Sequence, residues 1–338
     1  ALMADAAKKT SMVIFWMGVD RKQMVRAAEI ADAAGMDTLW IPEAWSYDQV
    51  PIITEILLKT KNLKVGTGIM NCFSRSPALV AMTAATLDEI GQGRFVLGLG
   101  TSGQKVVEGF HGIPFEKPLG RLREYVEIVN LLLAGERLAT HQGSIYQNMR
   151  PFKLAFTPYR KKIPIYIASL AKKSVRMVGE IADGWIPTFW PKHMYKEGIS
   201  WIEEGAAISG RDPKEVDVAP YITTVAMDDT EAAMAFAKGP LGFYIGGMGK
   251  FYSQMLTRAG FGEEVDRVKR LYDAGKKDEA THAVDDKLIE ATAAVGPMEA
   301  VRAKLDGFRA AGVTNPIISY PTGADDKTVE TYIQAIVA

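Results

Sequence analysis

One cysteine, Cys72, occurs in 338 residues, which excludes an intrachain disulfide and a thiolate cluster and fits a reducing compartment. Histidine is scarce as well. His111, His141, His193 and His282 form neither H-E-x-x-H nor a Cys/His cluster, so no metal site is expected. Neither sign of charge is in excess: 40 Lys+Arg balance 40 Asp+Glu, leaving no attraction of the kind that nucleic acid or an anionic membrane would require. A small molecule is the expected partner. No apolar run approaches the roughly 18 to 20 residues that span a bilayer. Residues 1–11 are small, polar and charged without an apolar h-region, so they do not read as a signal peptide. They are expected to be a disordered tail or expression remnant ahead of a single domain over 12–338, in the cytoplasm.

What is present is alternation. Short apolar runs of β character are separated by stretches of helical period, the signature of repeated βα units. Strands are expected over 13–17, 38–41, 64–69, 94–99, 164–168, 184–187, 217–227 and 316–320. Helices are expected over 21–34, 47–59, 77–90, 119–134, 171–182, 194–209 and 297–311, with another closing the chain. Pro77 suits a first helical turn, and Gly35 and Gly91 suit helix ends. The stretch 135–162 reads as a long irregular connection with a short hairpin around Gly143, and 230–294 as a helical insertion after strand 7. Eight units without a composition break favour a closed (β/α)8 TIM barrel of class α/β. The open doubly wound alternative usually carries G-x-G-x-x-G after its first strand, whereas this chain has Trp16-Met17-Gly18-Val19-Asp20.

In such a barrel the residues just past the strand C-termini converge on one pocket. Here they include Pro42-Glu43-Ala44-Trp45, Gly68-Ile69-Met70-Asn71, Gly98-Leu99-Gly100-Thr101-Ser102-Gly103 and Ala168-Ser169-Leu170-Ala171. Glycine and hydroxyl residues let backbone N–H groups approach an anionic oxygen, and a helix start with a serine hydroxyl grips the same anion. A phosphate seat between the fourth and fifth turns follows. Tight packing of βα turns would also explain the glycines. Lys172 and Lys173 at a helix start favour a nearby anion. Trp16, Met17, Trp45, Phe73, Phe189 and Trp190 fall near strand ends, where flat apolar groups line a ring or substrate pocket, and Trp16, Trp45 and Phe189 are the candidates chosen for the substrate. The glycine- and aromatic-rich run 239–249 suits a lid.

The runs Gly66-Thr67-Gly68-Ile69-Met70-Asn71, Arg75-Ser76-Pro77-Ala78, Ala84-Ala85-Thr86-Leu87-Asp88-Glu89 and Gly93-Arg94-Phe95-Val96-Leu97-Gly98-Leu99-Gly100 closely resemble the luciferase-like flavin and deazaflavin oxidoreductases. Val106-Val107-Glu108-Gly109-Phe110-His111-Gly112, Arg121-Leu122-Arg123-Glu124-Tyr125, Pro164-Ile165-Tyr166-Ile167-Ala168 and Ala182-Asp183-Gly184-Trp185 resemble its coenzyme F420-dependent subgroup, akin to methylenetetrahydromethanopterin reductase. The resemblance spans roughly 13–188. It implies a deazaflavin ring at the barrel mouth, with Glu43, Gly68, Ile69, Met70, Asn71, Gly100, Thr101, Ser102, Gly103, Ala168, Ser169, Leu170, Ala171, Gly184 and Thr188 about the cofactor. It also implies a cis peptide at Gly68-Ile69, and a homodimer or higher oligomer. Ala44 replaces the histidine of the sugar-phosphate dehydrogenase branch, and Gln104 rather than an acid follows Gly103. Reduction by F420H2 with Glu43 as candidate proton donor is therefore favoured over alcohol oxidation. Two other readings are an FMNH2-dependent monooxygenase of the same superfamily and a non-catalytic flavin or deazaflavin carrier.

Overall fold

Parallel pairing carries the chain around a closed ring of strands. The structure is a computed structural model that describes residues 8–15 and 17–338. In chain order the first half comprises β1 (Ser11–Val13), α1 (Arg21–Ala33), β2 (Thr38–Ile41), α2 (Gln49–Lys59), β3 (Lys64–Thr67), β4 (Met70–Asn71), α3 (Pro77–Ile90), β5 (Phe95–Gly100), α4 (Gln104–Gly109), α5 (Pro118–Leu133), β6 (Ile165–Ala168), α6 (Lys172–Ile181) and β7 (Gly184–Ile186). The second half comprises α7 (Tyr195–Ser209), β8 (Asp217–Val218), β9 (Tyr221–Ala226), α8 (Thr230–Gly247), α9 (Lys250–Leu256), α10 (Gly262–Asp273), α11 (Lys277–His282), α12 (Asp286–Thr292), β10 (Ala293–Gly296), α13 (Met298–Ala310), β11 (Ile317–Ser319) and α14 (Asp326–Val337). A π-helical turn, Thr257–Phe261, joins α9 to α10.

The staves run β1, β2, β3, β5, β6, β7, then β8 continued by β9, then β11, which pairs back onto β1 through Met12↔Ile318. This is the expected TIM barrel with its helical insertion after the seventh stave. Helix starts follow local chemistry. Asp20 and Gln23 form a capping box before α1, Asp48 caps α2, and Ser76 caps α3 ahead of Pro77.

The barrel interior is filled by Trp40, Val96, Tyr166, Ile186, Ala219 and Ile317. Trp40 dominates this plug, and its neighbours give up side chains to admit it. A Cβ on Gly66 would lie 2.7 Å from the indole, and one on Gly98 would lie 3.1 Å from it and 1.9 Å from the Thr67 carbonyl oxygen. Thr67 and Gly98 are also tied reciprocally: the Thr67 hydroxyl donates to Gly98 O at 2.7 Å and accepts from Gly98 N at 2.9 Å. Val13, Ile69, Ala168 and Tyr221 pack on the plug as partly buried residues. They form its upper layer.

Several element boundaries differ from the sequence reading. Residues 8–11 are not a loose tail. Lys8 and Lys9 pair with Asp306 and Asp217, and Thr10 and Ser11 are buried, the Ser11 hydroxyl donating to Asn315 Oδ1 at 2.8 Å. Residues 1–7 lie outside the described residues. β1 ends at Val13; beyond it the Ile14 amide still reaches Trp40 O at 3.4 Å, and Phe15 and Met17 turn to the barrel mouth. The strand expected over 64–69 is interrupted at Gly68–Ile69, which is a cis peptide, and resumes as β4. The strand expected over 217–227 breaks at Pro220, which has no N–H for the ladder. The insertion ends at Thr292, not 294: Ala293–Gly296 is a strand parallel to β9.

No hairpin forms around Gly143. Instead the Glu124 carboxylate gathers the chain there, accepting from the amides of Ser144, Ile145 and Tyr146 and from the Ser144 hydroxyl at 2.7–3.1 Å. Burial alone would raise this carboxyl, but those donors hold it at about 2.

Adding one methyl at Gly98 tests the plug. Gly98→Ala is expected to destabilise the fold by about 3 kcal/mol or more in denaturant unfolding. Stability within about 1 kcal/mol of the parent would show that the contact relaxes without consequence.

Candidate functional site

The upper layer of the plug is the floor of a cavity. Val13, Ile69, Ala168 and Tyr221 all line a space of about 1580 Å³ at the C-terminal ends of the staves. Ile69 is braced by Gly100, where a Cβ would come within 2.8 Å of its side chain. Among the described residues only Glu43, Lys173, Asp228, Arg258 and Lys327 bring charge to this wall. The rest is apolar, glycine, hydroxyl or amide.

One side of the cavity is walled by glycine and hydroxyl loops. Gly100, Thr101, Ser102 and Gly103 at the end of β5 and Ala168, Ser169, Leu170 and Ala171 at the end of the neighbouring β6 all line it. No side chain caps the start of α6, so the first-turn amides beside Lys173 and Ser174 remain donors. Ser169 is fixed from both sides: its hydroxyl donates to Ser174 Oγ at 2.7 Å, and its carbonyl accepts from Trp185 Nε1 at 2.9 Å. Arg258 reaches in from the insertion, donating to Leu170 O at 3.0 Å with its guanidinium over the rings of Trp190 and Trp201. Lys173 and Arg258 therefore make this end cationic. Lys172, read from sequence as a second anion partner, is instead paired with Glu204 at 3.0 Å.

Glu43 lies past β2, between the floor and the rim. Its carboxylate accepts from Gln49 Nε2 and, at 3.0 Å, from the Ser74 hydroxyl. Gln49 is fully buried at the start of α2, so the carboxyl is oriented by an immobile partner. Burial pushes the Glu43 carboxyl above its ordinary value and Asp48 adds to this; Arg75 and the two hydrogen bonds oppose it without cancelling it. A carboxyl so placed holds its proton further up the pH scale than an exposed one.

The insertion roofs the cavity. Tyr244 and Met248 after β9, and Tyr252 and Met255 on α9, line it from above. Lys105 Nζ donates to Gly247 O at 3.1 Å, and His193 Nε2 lies 3.1 Å from Ala259 O. Phe189, in left-handed backbone at φ 55, stacks edge-on with Tyr244 at 5.1 Å and Tyr252 at 6.2 Å. Gly249 (φ 91) and Gly260 (φ 97) bracket the α9 segment, giving the two turns that only glycine enters readily. The run 239–249 thus does lie over the mouth, continuous with α8.

Of the residues expected at the site, Glu43, Gly68, Ile69, Gly100–Gly103, Ala168–Ala171, Thr188, Trp45 and Phe189 meet in this one space. Met70 and Asn71 do not. Both are buried in the wall instead, Met70 within the main core cluster and Asn71 with its Oδ1 accepting from Phe73 N at 2.8 Å. Gly184 lies inside the barrel instead, its missing Cβ making room for the Tyr166 ring at 2.2 Å. Phe73 stacks on Phe115, and Trp190 on Trp185. Trp16 falls outside the described residues. Cys72 is buried, and its thiol is pushed up to about 12 by that burial, which leaves it inert as a nucleophile. Among the described residues no cluster of His, Cys, Asp and Glu could hold a metal ion, and no helix is long and apolar enough to cross a membrane.

Sequence reasoning missed Tyr221, Tyr252 and Arg258. Tyr221 was legible only as strand. Its hydroxyl is buried over Gly68, where a Cβ would approach it to 2.3 Å, and it has no hydrogen-bond partner among the described residues.

A family model described as luciferase-like monooxygenase matches residues 6–315. A Mycobacterium tuberculosis protein named as a candidate coenzyme F420-dependent oxidoreductase is 33% identical, covering 90% of this chain and 92% of its own. The fold matches the coenzyme F420-dependent tetrahydromethanopterin reductase of Methanopyrus kandleri with a TM-score of 0.84 at 24% identity, over 97% of both chains. It also matches the oxygenating constituent of 3,6-diketocamphane monooxygenase of Pseudomonas putida, solved with FMN, with a TM-score of 0.71 at 21% identity, over 98% of this chain and 97% of that one.

An unpartnered buried hydroxyl lowers stability unless a ligand uses it. Tyr221→Phe is accordingly expected to leave the melting temperature unchanged or raise it, by up to about 1 kcal/mol of stability. A clear fall in Tm would show that the hydroxyl already has a partner in the free protein.

Proposed function

The chain belongs to the luciferase-like monooxygenase family, and from the layout of its cavity we propose that it is an F420-dependent oxidoreductase that works as a reductase on a small organic acceptor. The observation that carries this reading is the continuity of one cavity from a cationic amide cradle to an apolar floor beside a part-buried carboxyl. The residues present fit the deazaflavin. Amides at the start of α6, Ser169, Lys173 and Arg258 would hold its phosphoryl group, and Ile69, Val13, Ala168 and Tyr221 would support its ring. When bound in its reduced form the cofactor supplies a hydride.

The remaining chemistry falls to the chain. The apolar floor and the roof of tyrosines and methionines limit the access of water, which competes for the acceptor and weakens electrostatic contacts. Gln49 and Ser74 hold the Glu43 carboxyl at a fixed orientation. Because burial keeps that carboxyl protonated further up the pH scale, Glu43 can deliver a proton to the acceptor. Among the described residues no histidine lines the cavity, and Ala44 follows Glu43, so the proton is left to Glu43, whose raised carboxyl suits the acid of a reduction.

A second reading, an FMN-dependent monooxygenase, is favoured by the family model and by the FMN-containing structural neighbour. Titration separates the two. The deazaflavin is expected to bind the purified protein more tightly than FMN, and the pair Lys173→Ala and Arg258→Ala together to weaken that binding about 10- to 100-fold, the worth of one charge-assisted hydrogen bond. Tight FMN binding with oxygen consumption and no affinity for F420 would overturn the reductase reading.

The role of Glu43 has its own signature. A general acid must be protonated, so kcat/KM is expected to hold at low pH and fall as pH rises through a value above the ordinary carboxylate range. Glu43→Gln is expected to lower kcat about 10²- to 10⁴-fold and to abolish this limb. An unchanged pH profile in the variant would remove Glu43 from the chemistry.

A further inference from the structure

The cavity is longer than the cofactor seat. Across the ring from β5 and β6 it runs over the ends of β9 and β11 and the helices that follow them. There its wall is Met227, Phe236, Pro240, Met298, Tyr320 and Pro321. Met227 is 40% exposed and Phe236 62% exposed, apolar surface that the folded chain leaves open on a cavity wall, where it marks binding rather than scatter. The volume of about 1580 Å³ exceeds the roughly 300–1,000 Å³ of a site for one drug-sized ligand. That volume leaves room beside the cofactor seat for a second molecule.

The polar groups of this arm limit what the second molecule can be. The Thr224 hydroxyl donates to Ile222 O at 2.8 Å, that of Thr331 to Lys327 O at 2.9 Å, and that of Tyr332 to Ser319 O at 2.8 Å, so these three are engaged within the chain, and the hydroxyls of Thr223, Tyr320, Thr322 and Thr328 add neutral polar groups only. Its charged residues, Asp228 and Lys327, are both exposed and opposite in sign. No net charge selects an anion or a cation, in contrast to the opposite end, where Lys173 and Arg258 act together. We propose that this distal arm binds an elongated, neutral, largely apolar small molecule. That this molecule is the acceptor rests on the function proposed above; that it binds does not.

The test uses the whole protein without added cofactor. Fluorescence of the neutral probe N-phenyl-1-naphthylamine is expected to rise on binding and to be displaced by 2-alkanones, each added methylene tightening displacement about fourfold until the arm is filled, the worth of one buried CH₂. Carboxylates of equal length are expected to compete at least about 10-fold more weakly, since the arm offers no net charge to offset their desolvation. Met298→Glu places an acid in the first turn of α13, which the helix dipole tolerates, and Phe236→Glu changes an exposed side chain on α8. Each is expected to weaken alkanone binding at least about 10-fold while F420 affinity stays within about twofold of the parent. Flat affinity along the alkanone series, carboxylates binding as well as ketones, or unchanged probe binding in both variants would overturn the proposal. If alkanones bind as described but F420 does not, the arm stands and the reductase reading falls.

Discussion

The indole of Trp40 fills the barrel, and the glycines facing it are what allow it to. Gly66, Gly68 and Gly98 each lack a Cβ that would meet this ring system, its backbone or its immediate wall. Because the plug is full to that height, the next layer up, Val13, Ile69, Ala168 and Tyr221, cannot sink and instead presents a firm, mostly apolar floor. Close packing transmits such constraints directly, since an interior at crystal-like density has little room to relax. The site therefore inherits its shape from the core.

Upon that floor the chain separates charge by distance. Lys173 and Arg258 lie at one end with the uncapped start of α6, Glu43 near the middle, and a charge-neutral apolar arm at the other end. The uncapped amides with Lys173 and Arg258 favour an anion at one end and the arm without net charge favours an apolar group at the other, so an anionic tail and an apolar ligand would be sorted to opposite ends. The part-buried carboxyl between them is pushed above its ordinary value by desolvation. Position thus assigns roles that the bare residue types do not.

Much of this was legible in the sequence. Strand 38–41 and helix 77–90 coincide with β2 and α3, because alternation of apolar runs and helix-capping residues are local signals. The convergence of Glu43, Gly68, Gly100–Gly103 and Ala168–Ala171 followed from strand ends alone. What failed was non-local. The glycines of 98–100 read as openings for an anion, yet Gly98 serves Trp40 and Thr67, and Gly184 serves Tyr166; nothing in a single strand reveals which ring on another strand leans over it. Met70 and Asn71 pair with β5 and are buried away from the cavity, which the strand-end rule does not distinguish from lining it. Arg258 sits in a π-helical turn of the insertion, where no periodic signal points at the barrel. The strand Ala293–Gly296 was hidden at the end of a helical run.

The central claim is that the cradle between β5 and β6 and the floor over Trp40 hold one cofactor between them. A crystal structure of the protein with reduced F420 tests it most directly. The account predicts the phosphoryl group within hydrogen-bonding distance of the amides near Ser169 and of Lys173, and the ring lying against Ile69 and Tyr221. A ring seated in the distal arm, or a phosphoryl group touching neither the loop at Gly100–Gly103 nor that at Ala168–Ala171, would contradict it.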